Sequence, residues 1–141
     1  MTIQDRADEI AADFEFLDDW ETRYAHIIDL GKANPHLEPE ERNEDTKVRG
    51  CASQVWMVLD EAPDGTLSIR AESDAMIVSG LIALLIRLYS GAPREEIQAF
   101  DAPAFLEKIG VTGALSAQRS NGLRAMLDRI RSAADAQPVA D

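Results

Sequence analysis

The longest uncharged run in the sequence, AMIVSGLIALLI at residues 75–86, constrains the fold most strongly. It is shorter than the roughly 20 apolar residues that cross a bilayer, so its side chains must be buried in protein. Ser73 or Asp74 can cap a helix here, and the SGAP sequence at residues 90–93 ends that helix after about Tyr89. Because the run is apolar nearly all round, it is predicted to be the core helix.

Two stretches before this run predict an antiparallel hairpin. Residues 54–60 are apolar on both faces, which is typical of a central strand covered on both sides. Residues 66–72 alternate between apolar and polar side chains, and the APDG sequence at residues 62–65 is a strong turn signal between the two stretches. A third strand is expected near residues 45–49.

Helical spacing of apolar residues runs through most of the remaining sequence. The first predicted helix covers residues 2–18, and short helices are predicted at 94–99 and 103–109. A second helix is capped by Asp18 or Asp19, and its apolar stripe comprises Trp20, Tyr24, Ile27, Ile28 and Gly31. The last helix is capped by Ser116 and buries Leu123, Met126, Leu127 and Ile130. The tail from about residue 134 is expected to fray. This order of elements predicts an α+β fold, and 141 residues suit a single domain over 1–141.

The charge balance is lopsided, since 14 Lys and Arg stand against 26 Asp and Glu, for a net charge of −12. Such a surface repels phosphate backbones and anionic lipid, which argues against nucleic-acid and membrane partners. It suits a protein partner with a basic docking face, or it serves solubility alone. The first residues, MTIQDRADEI, include acids and no apolar stretch of the secretory kind, so a cytoplasmic location is expected.

The chain contains one cysteine, Cys51, in the stretch KVRGCASQVW. One thiol can form neither an intramolecular disulfide nor a multi-cysteine metal or iron–sulfur site within this chain. Two interpretations stay open on the residues alone. A lone cysteine often serves as a small buried hydrophobic side chain. In contrast, Gly50 suggests a tightly turned backbone, and the nearby Lys47 and Arg49 favour the thiolate, which is the nucleophilic form.

A single thiol also restricts the available chemistry. A thiol hydrolase needs a general base, and the two histidines, His26 and His36, are both expected on the surface. A dithiol redox cycle needs a second cysteine. Accepting a sulfur atom from the persulfide of another protein needs neither, because the step is attack by a thiolate on a sulfur–sulfur bond.

The stretch VRGCASQVW resembles the signature of the SufE family, including its CsdE relatives. Three further blocks resemble the family in the same order, namely DWETRYAHIIDLG, SDAMIVSGLIALLIRLYSG and FLEKIGVTGALSAQRSNGL. The resemblance covers nearly the whole chain. It implies the α+β fold that the family shares with IscU-type scaffolds, with a small antiparallel sheet of about three strands flanked by helices.

The resemblance implies that Cys51 accepts persulfide sulfur from a pyridoxal-phosphate-dependent cysteine desulfurase of the SufS or CsdA kind. The protein would stimulate that enzyme and pass the sulfur on to a scaffold complex for iron–sulfur cluster assembly. The cofactor belongs to the desulfurase, and neither a cofactor nor a metal is expected on this chain. The Cys51 loop is expected to shelter the thiol in an apolar pocket and to swing out on docking. The alternative is a non-covalent activator of a desulfurase, in which Cys51 is structural; a monomer and a homodimer are both compatible with the sequence.

Five residues complete the implied site: Gly50, Ser53, Gln54, Asp74 and Arg119. Gly50, Ser53 and Gln54 belong to the matching motif, and Gln54 is expected to hydrogen-bond the loop backbone. Asp74 either caps the core helix or steadies the loop. Arg119 is either a surface residue or reaches the loop, where its charge would favour the thiolate.

Overall fold

Helix α3 (Met76–Tyr89) lies at the centre of the fold in the computed structural model, which describes residues 2–50 and 53–135. Most of its residues are buried, and its one charged side chain, Arg87, pairs with Asp13 at 2.7 Å between Nη1 and Oδ2. The prediction of an apolar core helix that ends at Tyr89 is confirmed. Burial on this scale stabilises the fold through the removal of apolar surface from water.

The N-terminus of α3 differs from the predicted cap. The helix begins at Met76, and its N-cap residue, Ala75, offers no side-chain acceptor. Ser73 is the last residue of the preceding strand, and its hydroxyl accepts a hydrogen bond from the Ala75 N–H at 3.1 Å. The Asp74 carboxylate accepts from the Gln54 N–H. Capping by Ser73 or Asp74 was therefore wrong, because both side chains are used in the turn from strand to helix.

In the part of the chain that the structure describes, the sheet has three antiparallel strands in the order β1–β2–β3. They are β1 (Val55–Glu61), β2 (Thr66–Ser73) and β3 (Ala92–Pro93). The first two form the predicted hairpin, in a register that pairs Val55 with Ser73. Leu67, Ile69 and Ala71 are buried, as the alternation of β2 predicts. Because the side-chain period of a strand is two, this burial specifies the register of the hairpin.

Two predictions about the sheet were wrong. In the described part of the chain, β1 lies at the edge of the sheet and β2 at its centre, and the third strand follows α3. Residues 45–49 contribute an isolated bridge, between Lys47 and Trp56, in place of the expected strand. This segment still covers the outer edge of β1, because the Val48 N–H donates to the Val55 carbonyl at 2.8 Å. On the faces of β1, Val55 and Met57 are buried whereas Trp56 and Val58 are half-buried, so an apolar pattern on both faces did not require a central strand.

Within residues 2–50 and 53–135, five further helices surround α3 and the sheet, which confirms the α+β class. They are α1 (Ile3–Phe14), α2 (Trp20–Lys32), α4 (Arg94–Ala99), α5 (Ala102–Lys108) and α6 (Ala117–Asp135), with 3₁₀ turns at Pro39–Glu41 and Thr112–Ala114. Asp19 caps α2, with its carboxylate accepting from the Thr22 N–H at 2.8 Å. No helix within the described residues has both the length and the apolar composition to cross a membrane.

Three details of the helices correct the sequence predictions. α1 ends at Phe14, four residues earlier than expected. Trp20, which was predicted on the buried stripe of α2, is 59% exposed. α6 continues to Asp135 and buries Ala134, whose carbonyl accepts from the Arg94 Nε at 3.0 Å, so the helix extends past the predicted start of fraying. Residues 136–141 of the predicted tail lie outside the described residues. The buried face of α6 is as predicted, and it comprises Leu123, Met126, Leu127 and Ile130.

Helices α2 and α3 pack backbone against backbone. A Cβ atom placed on Gly80 would lie 1.9 Å from the carbonyl oxygen of Ile27, and one placed on Gly31 would lie 2.6 Å from the Gly80 nitrogen. Both distances are far inside van der Waals contact. Neither position can therefore hold a larger residue unless the two helices separate.

Gly80→Ala is expected to destabilise the protein by about 3 kcal/mol, because the added methyl group must force the helices apart. This loss should outweigh the gain of about 1 kcal/mol that alanine has over glycine in helix propensity. Urea unfolding measures the change. Gly113→Ala is the matched control, since a Cβ there meets nothing within 4 Å; equal stability of the two variants would contradict the backbone contact.

The outer face of β2 is tied to the segment that follows α2. The guanidinium of Arg70 donates to both carboxylate oxygens of Glu41, at 2.9 and 2.5 Å. Glu72, which is buried, accepts from the Leu37 N–H at 2.7 Å and from Arg42 at 3.2 Å. These bonds hold residues 37–42 over the sheet, directly upstream of the segment that covers β1.

The hydrogen bonds from Arg70, with a further one from the Glu38 backbone, lower the pKa of Glu41 from its ordinary value of 4.5 to about 2. Since the folded pKa is depressed, the pair stabilises the fold above pH 4.5, and this contribution is lost as the pH falls towards 2. Arg70→Gln should raise the Glu41 midpoint in a carboxyl NMR titration. Arg87→Gln, which breaks the ion pair with Asp13, should leave that midpoint unchanged; a shift in both variants would argue against a specific pair.

Candidate functional site

The predicted sulfur acceptor, Cys51, and its neighbour Ala52 lie outside the described residues, whereas the residues on both sides of them are described. Gly50 has a φ of +90°, in the left-handed region that glycine adopts without strain. A Cβ atom at Gly50 would lie 3.5 Å from the Ala125 Cβ of α6. The turned backbone expected at Gly50 is present, and it brings the chain against α6 immediately before Cys51.

On the other side of Cys51, the chain is joined to the corner between β2 and α3. The Gln54 N–H donates to Asp74 Oδ1 at 3.0 Å, and the Asp74 N–H donates back to the Gln54 carbonyl at 3.3 Å. Asp74 is thus bonded to residues 53–54, which form the exit of the Cys51 segment, through the main chain of Gln54. The bonds that the described residues show for Gln54 run through its main chain, whereas the sequence had suggested its side chain.

The entry limb, residues 45–50, lies between β1 and α6. On the β1 side the Val48 N–H pairs with the Val55 carbonyl. On the α6 side Arg129 donates from Nη1 to the Lys47 carbonyl at 3.1 Å and from Nη2 to the Asp45 carbonyl at 2.5 Å. Arg129 was not singled out from the sequence, because nothing in the local pattern separates it from the other arginines of α6.

A cavity of about 140 Å³ opens beside the exit of the Cys51 segment, between α3 and the first turns of α6. Its lining is both polar and apolar, and the apolar side chains of Leu81 and Met126 are fully buried. The lining residues are Ser53, Val78, Leu81, Ser116, Gln118, Arg119, Gly122, Leu123 and Met126. A cavity needs only about 15 Å³ to admit a water molecule, so this one has room for a small side-chain group. Ser53, two residues after Cys51, therefore lines a pocket with both polar and apolar side chains.

Arg119 is exposed and lies at the rim of this cavity, in the first turn of α6. Its N–H donates to the Ser116 hydroxyl at 3.3 Å, which confirms Ser116 as the predicted cap. Arg119 and Ser53 thus line the same cavity, and Gly50 lies against α6 at Ala125. Gly50, Ser53 and Gln54 flank the two undescribed positions in the chain, and Asp74 is hydrogen-bonded to Gln54.

The two histidines lie in other contacts. His26 packs edge-on against Phe14, with 5.1 Å between ring centroids, and its buried Nε2 has no hydrogen-bond partner among the described residues. The prediction of a solvated His26 was therefore wrong, because α1 covers that face of α2. His36 is exposed, with Nδ1 3.4 Å from the Glu72 carboxylate. Neither histidine lines the cavity beside Ser53.

Comparison with known proteins identifies the family. The chain matches the family model of SufE, the Fe–S metabolism associated domain, over residues 8–134. An uncharacterized SufE-like protein of Rhizobium etli is 50% identical over 136 residues, which cover 94% of this chain and 92% of that protein. One from Rhizobium meliloti is 47% identical over 131 residues, with 91% and 94% covered. The chain belongs to the SufE family, and its domain is of the kind associated with iron–sulfur metabolism.

A solved structure supports the same fold. The solution structure of a hypothetical protein from Thermus thermophilus matches with a TM-score of 0.74 and covers 92% of this chain and 93% of its own. The two sequences are 19% identical, so this likeness bears on the fold alone. Among the described residues, no group of three or more His, Cys, Asp or Glu side chains is arranged to hold a metal ion.

Asp74→Ala should loosen the exit of the Cys51 segment, because it leaves the Gln54 N–H without its acceptor. The expected cost is about 1 kcal/mol in unfolding free energy, with faster amide hydrogen exchange at Gln54. Asp74→Asn keeps a carbonyl oxygen at the same place and should retain most of the protection. If exchange at Gln54 is the same in Asp74→Ala and the wild type, the bond does not hold this exit in solution.

Proposed function

We propose that this protein is a sulfur carrier that accepts persulfide sulfur on Cys51 from a pyridoxal-phosphate-dependent cysteine desulfurase, stimulates that enzyme, and delivers the sulfur for iron–sulfur cluster assembly. The match to the SufE domain over residues 8–134, which includes the lone cysteine, carries this proposal. The exchange is assigned to the cytoplasm, where a free thiol stays reduced.

The transfer is a thiol–disulfide type of exchange at sulfur. The Cys51 thiolate attacks the outer sulfur of the desulfurase persulfide, and a new sulfur–sulfur bond forms on Cys51 as the bond within the donor persulfide breaks. The donor cysteine leaves as a thiolate and takes up the proton that Cys51 gave up. The exchange has no net oxidation or reduction, so one cysteine is sufficient.

The surroundings of Cys51 support this chemistry. A persulfide is readily oxidised or reduced in solvent, so a carrier benefits from an apolar recess next to its thiol. The cavity that Ser53 lines is assigned this role, and its apolar lining includes Leu81 and Met126. Arg119 at the rim is assigned to stabilise the thiolate or to contact the partner, since a nearby positive charge favours the ionised thiol.

The supports on either side of Cys51 are assigned a common role. Gly50 turns the chain against α6, and Asp74 holds the main chain of Gln54. Fixing both sides lowers the entropy that must be lost when the partner engages the thiol. The acidic surface of the chain, with a net charge of −12, suits a desulfurase with a basic docking face.

Incubation with a cysteine desulfurase and free cysteine, followed by intact-protein mass spectrometry, tests the carrier. The wild-type chain should gain the mass of one or more sulfur atoms, and Cys51 is the only cysteine that can hold it. Cys51→Ser should fold, gain no sulfur, and fail to raise desulfurase turnover. Cys51→Ala serves as a second variant without a hydroxyl in place of the thiol.

Two results would contradict the carrier. A wild-type chain that gains no sulfur from a turning-over desulfurase would exclude covalent acceptance from that enzyme. Normal stimulation by Cys51→Ser would instead support the non-covalent activator, in which the cysteine is structural. The control for handling of the variants is Ser68→Ala, which removes an exposed hydroxyl on β2 outside the Cys51 motif.

A further inference from the structure

The entry limb presents its main chain to two elements at once. The Thr46 carbonyl accepts from the Met57 N–H of β1 at 2.8 Å. The carbonyls on either side of it in the chain, those of Asp45 and Lys47, accept from Arg129 of α6. Residues 44–46 themselves form a turn, in which the Lys47 N–H donates to the Asn43 carbonyl at 3.0 Å. The limb is therefore held on both sides over these three residues.

Arg129 suits this double contact because of its geometry. A guanidinium presents several N–H donors in a planar fork, and two of them reach carbonyls that lie two residues apart in the chain. Arg129 is half-buried, and its acceptors lie 82 and 84 residues away in the sequence. One helical turn earlier, Ala125 faces Gly50. α6 thus supports the limb at two points, with Arg129 supplying the hydrogen bonds.

The two hydrogen bonds from Arg129 to the carbonyls of Asp45 and Lys47 form a tether that lies close in sequence to the proposed acceptor. The last described bond between the limb and β1 is made by the Val48 N–H, and Arg49 and Gly50 beyond it are exposed. The ion pair of Arg49 with Glu44 is also exposed and contributes little to holding the chain. Arg129 therefore supplies the side-chain hydrogen bonds that fix the limb to α6 just before Cys51 within the described chain.

We propose that Arg129 is a positioning residue for the sulfur-accepting segment, which fixes the entry limb on α6 and thereby restricts access to the Cys51 thiol. The inference rests on the proposed function of Cys51 as the acceptor. Arg129 acts through the main chain of Asp45 and Lys47 and does not itself take part in the exchange. Its loss should leave the fold in place and raise the population in which the limb is detached.

Alkylation of Cys51 by iodoacetamide measures this access without a desulfurase. Arg129→Gln should react about five- to tenfold faster than the wild type, since two hydrogen bonds no longer oppose local opening. Arg6→Gln is the matched control. Arg6 likewise donates to two main-chain carbonyls, those of Leu88 at 3.4 Å and Ser90 at 2.7 Å, but on α3 and its C-terminal side. Arg6→Gln should react at the wild-type rate.

The pH profile of alkylation separates positioning from a direct effect of charge. If Arg129 positions the limb, Arg129→Gln raises the rate at every pH and leaves the pH of half-maximal reactivity unchanged. Arg129→Lys should react at an intermediate rate, because an ammonium cannot reproduce the fork. A shifted midpoint in Arg129→Gln, together with a wild-type profile in Arg129→Lys, would show that charge acts on the thiol and would overturn the proposal.

Two other results would also overturn it. An unchanged rate in Arg129→Gln would mean that the tether does not govern access. Equal acceleration in Arg129→Gln and Arg6→Gln would mean that general loss of stability exposes the thiol. Both readouts are independent of sulfur transfer, so failure of the wild-type chain to accept sulfur would count against the proposed function and not against the tether.

Discussion

The contact between the backbones of α2 and α3 is the constraint on which the rest of the structure depends. Gly31 and Gly80 let the two helices approach until a side chain has no space between them. This approach covers one side of the apolar core helix, and β2 and α6 cover others. Packing at this density fixes the position of α3 relative to its neighbours. The N-terminus of α3 is then set, and with it the turn in which Asp74 meets Gln54.

Elements packed around α3 bind the chain on both sides of Cys51. The entry limb is bonded to β1 through Val48 and to α6 through Arg129, and the exit is bonded to Asp74. Next to the exit lies the cavity that Ser53 and Arg119 share. A carrier of the proposed kind needs a thiol that is sheltered at rest and available to one partner. Tethers on either side of the thiol suit that need, because they order the chain without occupying the recess.

Sequence reasoning worked where the signal was local. The core helix, the hairpin with its APDG turn and the buried face of α6 follow from periodicity and turn chemistry within short windows. It failed where a distant segment decided the outcome. The apolar faces of β1 indicated a central strand, although β2 takes the centre because β3, which follows α3, pairs with its other edge. Asp74 looked like a helix cap, although the approach of Gln54 gave its carboxylate another donor.

By itself, the sequence determined the α+β class, the core helix and the family, through the motif around Cys51 and three further blocks in the same order. Only the tertiary structure decided which side chains support that motif. Arg129 binds main-chain carbonyls more than 80 residues away, and every residue carries such a carbonyl. An acceptor that all residues share leaves no mark in the sequence, so this contact depends on where α6 is packed.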